Sequence, residues 1–550
     1  MNAPAPWLFF DVERPAAGHD EPLEPAGARF RVAALQMEPV RGEVAANLAK
    51  ARELILRDND SGATLIVFPE MGLSGYIWSS STEIMPHAMN CSDPSTQAQW
   101  VALADEVGAW LVIGHPAYDA LTTRLTNRCT LVSPSGVVGH YDKTCLFVED
   151  HSWATAGESI PPIWDTPVGK VSPLICADMD YPEPIHSAVS RGAEIIVLPT
   201  AWVGEPAPSA TWALRAWEHR VPVIAADIQG TDHGRVFSGG SCVLDANGDV
   251  ISATDYDEGL VGAYVVIPSS HSRVSAAAMT APLSVHELEI PNDGRVATAM
   301  DISLWAEGFP ASSAAPGQQL DVPHVIALPT VVNPHDFWRE EQSDYATAQS
   351  AVVVQGMRFA SGDPVETFIF APRLGYFSFV SLASAPVAAM VTIDAVRLAI
   401  MANHDLSTHY VSRALSLLGA SVIVGQGPHN LRPPHGFSGS SAPFTDGLGD
   451  ADPSFGHPVR FRAGDANVWF GFHSDSPEVP SGIFSPDHVA WPRCETIASG
   501  TAPLTQRCSL EPDDYWGAQA LQKPLVSASP SAIYGNYVHP EVTINTWRTS

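Results

Sequence analysis

The 550-residue sequence is short of positive charge, of paired cysteines and of long apolar runs. Only 29 Lys and Arg stand against 60 Asp and Glu, a formal charge of −31, and such a surface repels nucleic acid and anionic membranes instead of recruiting them. Neither is expected as a partner, and the acidic excess reads as a solubility feature. The cysteines are Cys91, Cys129, Cys145, Cys176, Cys242, Cys494 and Cys508, an odd set without any C-x-x-C pair, which argues for free thiols in a reducing compartment. No apolar run approaches the roughly 20 residues needed to cross a bilayer. Residues 1–28 show no basic stretch followed by an apolar one, so no secretory signal is readable. They are expected to form a flexible segment, and the protein is expected to be cytoplasmic. A phosphate-cradling G-x-x-x-x-G-K-[ST] loop is missing. His404 and His409 stand five apart, poor spacing for shared ligation from one helical face.

What is present fits an ordinary globular protein. The chain is 45% hydrophobic and 16% charged, and it is too long for one typical core, so two domains are expected. From Arg29 onward short apolar runs alternate with amphipathic stretches, the pattern of a layered α/β domain. Arg31 to Met37 reads as a strand; Val44, Leu48, Ala51, Leu54 and Ile55 then share one helical face. A strand from Ala63 to Phe68 delivers Pro69 and Glu70 at its carboxyl end. Pro134-Ser135-Gly136 and Asp245-Ala246-Asn247-Gly248 read as hairpin turns. The strand Val171 to Ile175 ends at Cys176, and Pro182 and Gly192 bracket the helix that follows. The first domain is expected over 29–268.

The remaining chain reads as a worn copy of the first. Arg295 to Met300 echoes Arg31 to Gln36, and His324 to Pro329 echoes the strand ending at Pro69. Asp405 and Gly419 repeat the 14-residue spacing of Asp178 and Gly192, and Arg462 and Phe484 the 22-residue spacing of Arg215 and Phe237. The expected division is therefore a linker at 269–294, a second domain at 295–512 and an extended arm at 513–550.

Hydrolysing an unactivated amide or nitrile needs a nucleophile, a proton carrier and a group that stabilises developing negative charge. Taken singly, the candidates have ordinary readings: Cys176 as a buried structural thiol, Glu70 as a solvated loop acid, Lys143 as a surface lysine. As an ordered set they carry a resemblance. Val67-Phe68-Pro69-Glu70-Met71-Gly72-Leu73-Ser74-Gly75-Tyr76 resembles the glutamate motif of the nitrilase superfamily, and Tyr141-Asp142-Lys143-Thr144-Cys145-Leu146-Phe147 its lysine motif. Leu174-Ile175-Cys176-Ala177-Asp178-Met179-Asp180-Tyr181-Pro182-Glu183, with Arg191-Gly192-Ala193 and Pro199-Thr200-Ala201-Trp202 beyond it, resembles the cysteine motif. Lys143 lies 73 residues after Glu70, and Cys176 lies 33 after Lys143.

The resemblance implies an α-β-β-α sandwich and a thioester route. Cys176 would be the nucleophile, Glu70 the general base, and Lys143 with the backbone N–H of Ala177 the oxyanion holders. It implies a second acid near the lysine, at Glu149, with Asp150 beside it as the competing assignment. Tyr76, Asp180 and Trp202 are candidates for the pocket wall. The scheme needs no cofactor and no metal. Nitrile-cleaving members usually carry Cys-Trp-Glu where this chain has Cys176-Ala177-Asp178, so a small amide or carbamoyl substrate is favoured over a nitrile. Asp180 disfavours an anionic substrate, although an acid near a helix amino terminus is also simply stabilised by the dipole. In the second half the counterparts of Glu70, Lys143 and Cys176 are expected at Thr330, Ser381 and Asn403, which supply neither base, cation nor thiolate. Members of the superfamily pair beside the cysteine helix, so the copy is expected to act as a built-in partner in an intrachain pseudo-dimer, with further homo-oligomers left open. A non-catalytic binding or scaffold role is the competing class.

Overall fold

The computed structural model describes residues 29–268 apart from 60–61, 91–93, 204–206 and 255; beyond 282 it describes chiefly the strands named below. Residues 1–28 lie outside the described residues.

Two sheets build the first unit. One is seven-stranded and runs Gly259–Val266, Arg29–Gln36, Leu65–Val67, Trp110–Asp119, Arg124–Ser133, Gly136–Asp142, with the short Met89–Asn90 beside Trp110–Asp119. The other is six-stranded and runs Val250–Ala253, Cys242–Leu244, Val223–Asp227, Ile195–Thr200, Gly169–Pro173, Trp164–Thr166. Strand side chains alternate between faces, and here both faces are covered. Val32, Ala34, Leu65, Val67 and Val112 meet Val171, Ile195, Val197 and Val223 in a core that also takes in both sheets' neighbours. Their alternates Ala33, Leu35, Ile66, Phe68, Leu111 and Ile113 pack instead on Ala51, Leu54, Ile55, Trp100 and Leu103 of the helices Val44–Asp58 and Pro94–Val107. On the far side, helices Pro182–Ser190 and Ala210–His219 contribute Ile185, Ala188, Trp212 and Ala216. The layers are thus helix, sheet, sheet, helix. Near-continuous apolar strands, and not alternating ones, are what a sheet buried on both faces requires.

Both hairpins expected from the turn residues form: Arg124–Ser133 pairs antiparallel with Gly136–Asp142, and Cys242–Leu244 with Val250–Ala253. The connections between parallel strands place Glu70, Cys176 and Ala201 just beyond the carboxyl ends of Leu65–Val67, Gly169–Pro173 and Ile195–Thr200. That edge is where α/β sheets collect functional groups.

Among the described residues beyond 282 there are two more sheets. One runs Leu504–Ser509, Ala299–Leu304, His324–Val331, Ala351–Met357, Glu366–Ala371, Gly375–Val380; the other runs Cys494–Thr496, Gly482–Phe484, Trp469–Ser474, Val422–Gly427, Val396–Ala402, Val387–Ile393, Leu283–Glu289, Val542–Trp547. Read strand by strand, the first repeats the order and the parallel or antiparallel sense of the Gly259-to-Asp142 sheet. The second repeats the Val250-to-Thr166 sheet and adds two strands, Leu283–Glu289 and Val542–Trp547.

Three expectations are corrected here. The span 269–294 is not only a linker, because Leu283–Glu289 runs parallel to Val387–Ile393. The span 513–550 contributes the edge strand Val542–Trp547. The echo of Arg31 at Arg295 does not follow the strand registers: Val32 pairs with Leu65, five residues before Glu70, and Ile302 pairs with Val325, five before Thr330. Short apolar strands match one another in several registers, and only the ladder picks one.

Candidate active site

Glu70 leaves its strand through Pro69 and enters a tight turn in which Met71 has φ 54°. The turn passes over Gly114, where a Cβ would sit 2.4 Å from the Pro69 carbonyl oxygen and 2.8 Å from Glu70 Cα. A glycine in the adjoining strand is therefore what lets Glu70 approach so closely. The carboxylate is fully buried. Its Oε1 accepts from Lys143 Nζ at 2.7 Å and from Asn127 Nδ2 at 2.7 Å, and its Oε2 from the Ala201 N–H at 2.9 Å.

Lys143 follows the strand Gly136–Asp142, whose end is clamped by a two-pronged pairing of Arg128 with Asp142 at 2.6 and 2.8 Å. Its ammonium is as buried as Glu70 and makes a second contact, 2.7 Å to Asp150 Oδ2. Asn127 Nδ2 bridges the two carboxylates by also donating to Asp150 Oδ1 at 3.1 Å. Asp150 opens a short 3-10 turn and folds back to accept the Phe147 N–H at 2.9 Å.

Cys176 sits at an elbow between the strand Gly169–Pro173 and a 3-10 turn, Cys176–Met179, with φ 45°. A non-glycine residue in that region is strained and is held there only by its surroundings. Asp178 does the holding: its carboxylate accepts from Ile175 N at 2.9 Å, Cys145 N at 2.8 Å, Tyr141 Oη at 3.0 Å and Thr144 Oγ1 at 3.1 Å. One buried acid thus fastens the cysteine elbow to the loop that carries Lys143. The thiol lies 3.9 Å from the carbonyl oxygen of Ala201, the residue whose N–H holds Glu70.

The profile of the carbon-nitrogen hydrolase family matches residues 31–269. A nitrilase of Pyrococcus abyssi is 30% identical over 232 residues, covering 87% of that protein and 42% of this chain. The chain belongs to the carbon-nitrogen hydrolase family. An (R)-stereoselective amidase of a Pseudomonas species is 27% identical over 235 residues, 82% of its length and 42% of this chain. The solved structure of an amidase from a Nesterenkonia species shares 24% identity, with a TM-score of 0.40, over 97% of that chain and 46% of this one.

Electrostatics within this carbon-nitrogen hydrolase unit follow from burial. Desolvation pushes the Glu70 carboxyl up, and Asp150 adds to that, while Lys143 opposes it. Desolvation works against charge on Lys143, but Asp150 and Glu70 override it and hold the ammonium well above its ordinary value. Burial and the charge of Glu70 push the Cys176 thiol up. The resting arrangement is a protonated thiol beside a carboxylate that is a better base than an exposed one, with an ammonium that stays charged.

The structure brings Glu70, Lys143, Cys176 and Ala177 together. It corrects the second acid: Glu149 turns away to pair with Arg235, and Asp150 takes the lysine. The two acids are adjacent, and the turn beginning at Asp150 decides which faces inward. Tyr76 is buried, with Lys143 Nζ 6.0 Å from its ring centroid. Trp202 gives its N–H to Asp227 at 2.9 Å and sets its ring edge-on to Trp212 at 5.2 Å, so it buttresses the turn behind Ala201. Asp180 ends the 3-10 turn, and its carbonyl accepts from Arg215 Nη2 at 3.0 Å. Asn127 and Asp178 were not singled out by sequence reasoning, and Asp150 entered only as the alternative to Glu149. Asn127 lies in the mixed polar and apolar strand Arg124–Ser133, where nothing marks it out.

Thr330 follows Leu328-Pro329 as Glu70 follows Phe68-Pro69, and a Cβ on Gly356 would come within 2.6 Å of its Oγ1. Ser381 follows the strand Gly375–Val380 as Lys143 follows Gly136–Asp142. Arg397 accepts the Ser421 N–H as Lys170 accepts that of Glu194, which puts position 403 six residues on, as Cys176 is from Lys170. Asn403 itself lies outside the described residues. Among the described residues, no helix is long and apolar enough to cross a membrane.

Proposed function

We propose that the first unit hydrolyses the C–N bond of a small amide or carbamoyl compound through a thioester on Cys176. The observation that carries this reading is the fully buried Glu70–Lys143–Asp150 cluster set against a thiol on a strained elbow. Burying three charges together is costly even when they are paired, and a purely structural role would be served as well by apolar side chains. Charges held at such expense, with the proton affinities of Glu70 and Lys143 both raised, are the mark of a site for chemistry.

In this scheme Glu70 takes the Sγ proton as sulfur bonds to the acyl carbon. Charge moves onto the substrate oxygen, where Lys143 Nζ and the Ala177 N–H receive it. The protonated Glu70 then gives the proton to nitrogen, the C–N bond breaks, and ammonia or an amine leaves. Water, deprotonated by Glu70, attacks the thioester; the acid departs and the thiol is restored. Asp150 touches Lys143 and not the reacting atoms, so it is a positioning residue.

The chain beyond the first unit reads as a degenerate second copy that serves as a fused partner. Its support is the shared strand order, together with Thr330 and Ser381 where base and cation would stand. The helix Pro182–Ser190 adds to it: residues 183–189 are buried on every face, the polar Glu183, His186 and Ser187 included, whereas an outer-layer helix of a lone sandwich buries one stripe.

The test is ammonia release from a panel of primary amides, ureido compounds and nitriles. Primary amides are expected to turn over fastest, with an acid limb in kcat/KM above the ordinary carboxylate value, because burial raises Glu70 and the base must be ionised. Nitriles as the best substrates would reverse the choice of substrate class. No turnover across the panel would favour the non-catalytic alternative.

A further inference from the structure

We propose that Tyr76 and Trp153 are specificity-determining donors of this site, and that the acyl half of the substrate is an apolar chain bearing one neutral hydrogen-bond acceptor such as a ketone, ester or amide oxygen. The inference rests on the hydrolase reading above and deepens it.

Both side chains are buried, Tyr76 at 1% exposure and Trp153 at 5%, yet neither the Tyr76 hydroxyl nor the Trp153 Nε1–H has a hydrogen-bond partner among the described residues. Buried polar groups are nearly always paired, so two orphans in one place call for an occupant. They belong to one buried cluster with Met71, Leu125, Ala201 and Phe237. Ala201 ties that cluster to the chemistry, since its carbonyl faces the Cys176 thiol and its N–H holds Glu70. Tyr76 is held from two sides. Its N–H donates to Asp232 Oδ2 at 3.0 Å on the hairpin Gln229–Asp232/Arg235–Ser238, and its ring stands edge-on to Phe237 at 5.8 Å. A hydroxyl on so fixed a ring is not free to seek a partner elsewhere.

The chemistry of the two groups narrows the ligand. An indole N–H only donates, and burial, with the nearby Asp150 carboxylate, holds the Tyr76 phenol in its protonated, donating form. Their complement is an acceptor. Lys143 is already engaged by two carboxylates, so the buried trio is net negative and disfavours an anionic tail. The apolar side chains around the donors suit a carbon chain.

The experiment measures kcat/KM for pentanamide and 4-oxopentanamide, which differ by one remote carbonyl, with the full chain and its Tyr76→Phe and Trp153→Phe variants. The full chain is expected to prefer 4-oxopentanamide by about tenfold or more, the effect of leaving buried donors unmatched. Each variant is expected to lose much of that preference, and Tyr76→Phe not to melt lower, because its hydroxyl satisfies nothing in the folded protein. Equal kcat/KM on the two amides, or a preference kept by both variants, overturns the inference and leaves the hydrolase reading standing. A lower melting temperature in Tyr76→Phe with the preference kept assigns the hydroxyl to structure and also overturns it. If neither amide turns over and Cys176 takes up no acyl mass, the hydrolase reading falls and the inference with it.

Discussion

Replacing Cys176 by alanine is expected to lower kcat/KM on the best amide by about 10⁴-fold or more, the usual scale for removing a nucleophile, while stability changes by no more than about 1 kcal/mol. The two halves of this expectation have separate causes. The sulfur's hydrogen bonds are weak ones, 3.9 Å to the Ala201 carbonyl and another to the Thr200 side chain, so little of the fold depends on them. The φ of 45° is held by Asp178 and its four donors, none of which involves the thiol. Steady-state kinetics beside a melting curve checks it. A variant that keeps more than a tenth of the activity would remove the thiol from the mechanism.

Lys143→Met is expected to act on both activity and stability. Removing one oxyanion donor costs on the order of 10² to 10³ in kcat. It also leaves Glu70 and Asp150 buried, bridged by Asn127 and without a cation, a loss of roughly 3–5 kcal/mol at neutral pH. The sign with pH separates this from simple misfolding. The folded pKa of Glu70 is already raised above its ordinary 4.5, so a neutral carboxyl is tolerated below that value and the penalty grows as pH climbs through the folded pKa. The variant should therefore lie closest to the parent protein in acid and furthest from it near neutrality. In the parent, Lys143 is raised above 10.5, so its stabilising contribution is complete across neutral pH and is lost only as pH rises through the folded value. Denaturant titrations from acid to neutral pH read the difference; a pH-independent loss would mean that the ion cluster is not its source.

Much of this site was legible in the sequence, for a physical reason. Glu70 and Cys176 each stand just past a strand with a buried apolar run, which announces itself in the sequence, and Lys143 stands one residue past the hairpin strand that the Pro134-Ser135-Gly136 turn marks. The supporting groups were less legible. Choosing between Glu149 and Asp150 requires knowing where a 3-10 turn begins, and no periodicity marks that. Asn127 and Asp178 owe their importance to partners 57 and 33 residues away. Asp178 was visible only as part of a motif, not as the clasp between two loops. The later half shows the same division: its strands were readable, but Arg295 was matched to the wrong rung, and Leu283–Glu289 was read as linker because its polar alternation resembles a solvated segment. Pairing partners decide both, and they lie far away along the chain.

The central claim is that Cys176 carries the acyl group. Intact-mass and peptide mapping of the full chain quenched during turnover of a primary amide addresses it directly, with Cys176→Ala as the control. The account predicts a mass gain equal to the substrate less ammonia, confined to the peptide that contains Cys176. Turnover of the full chain with no adduct on it, or an acyl mass on another residue, would contradict it.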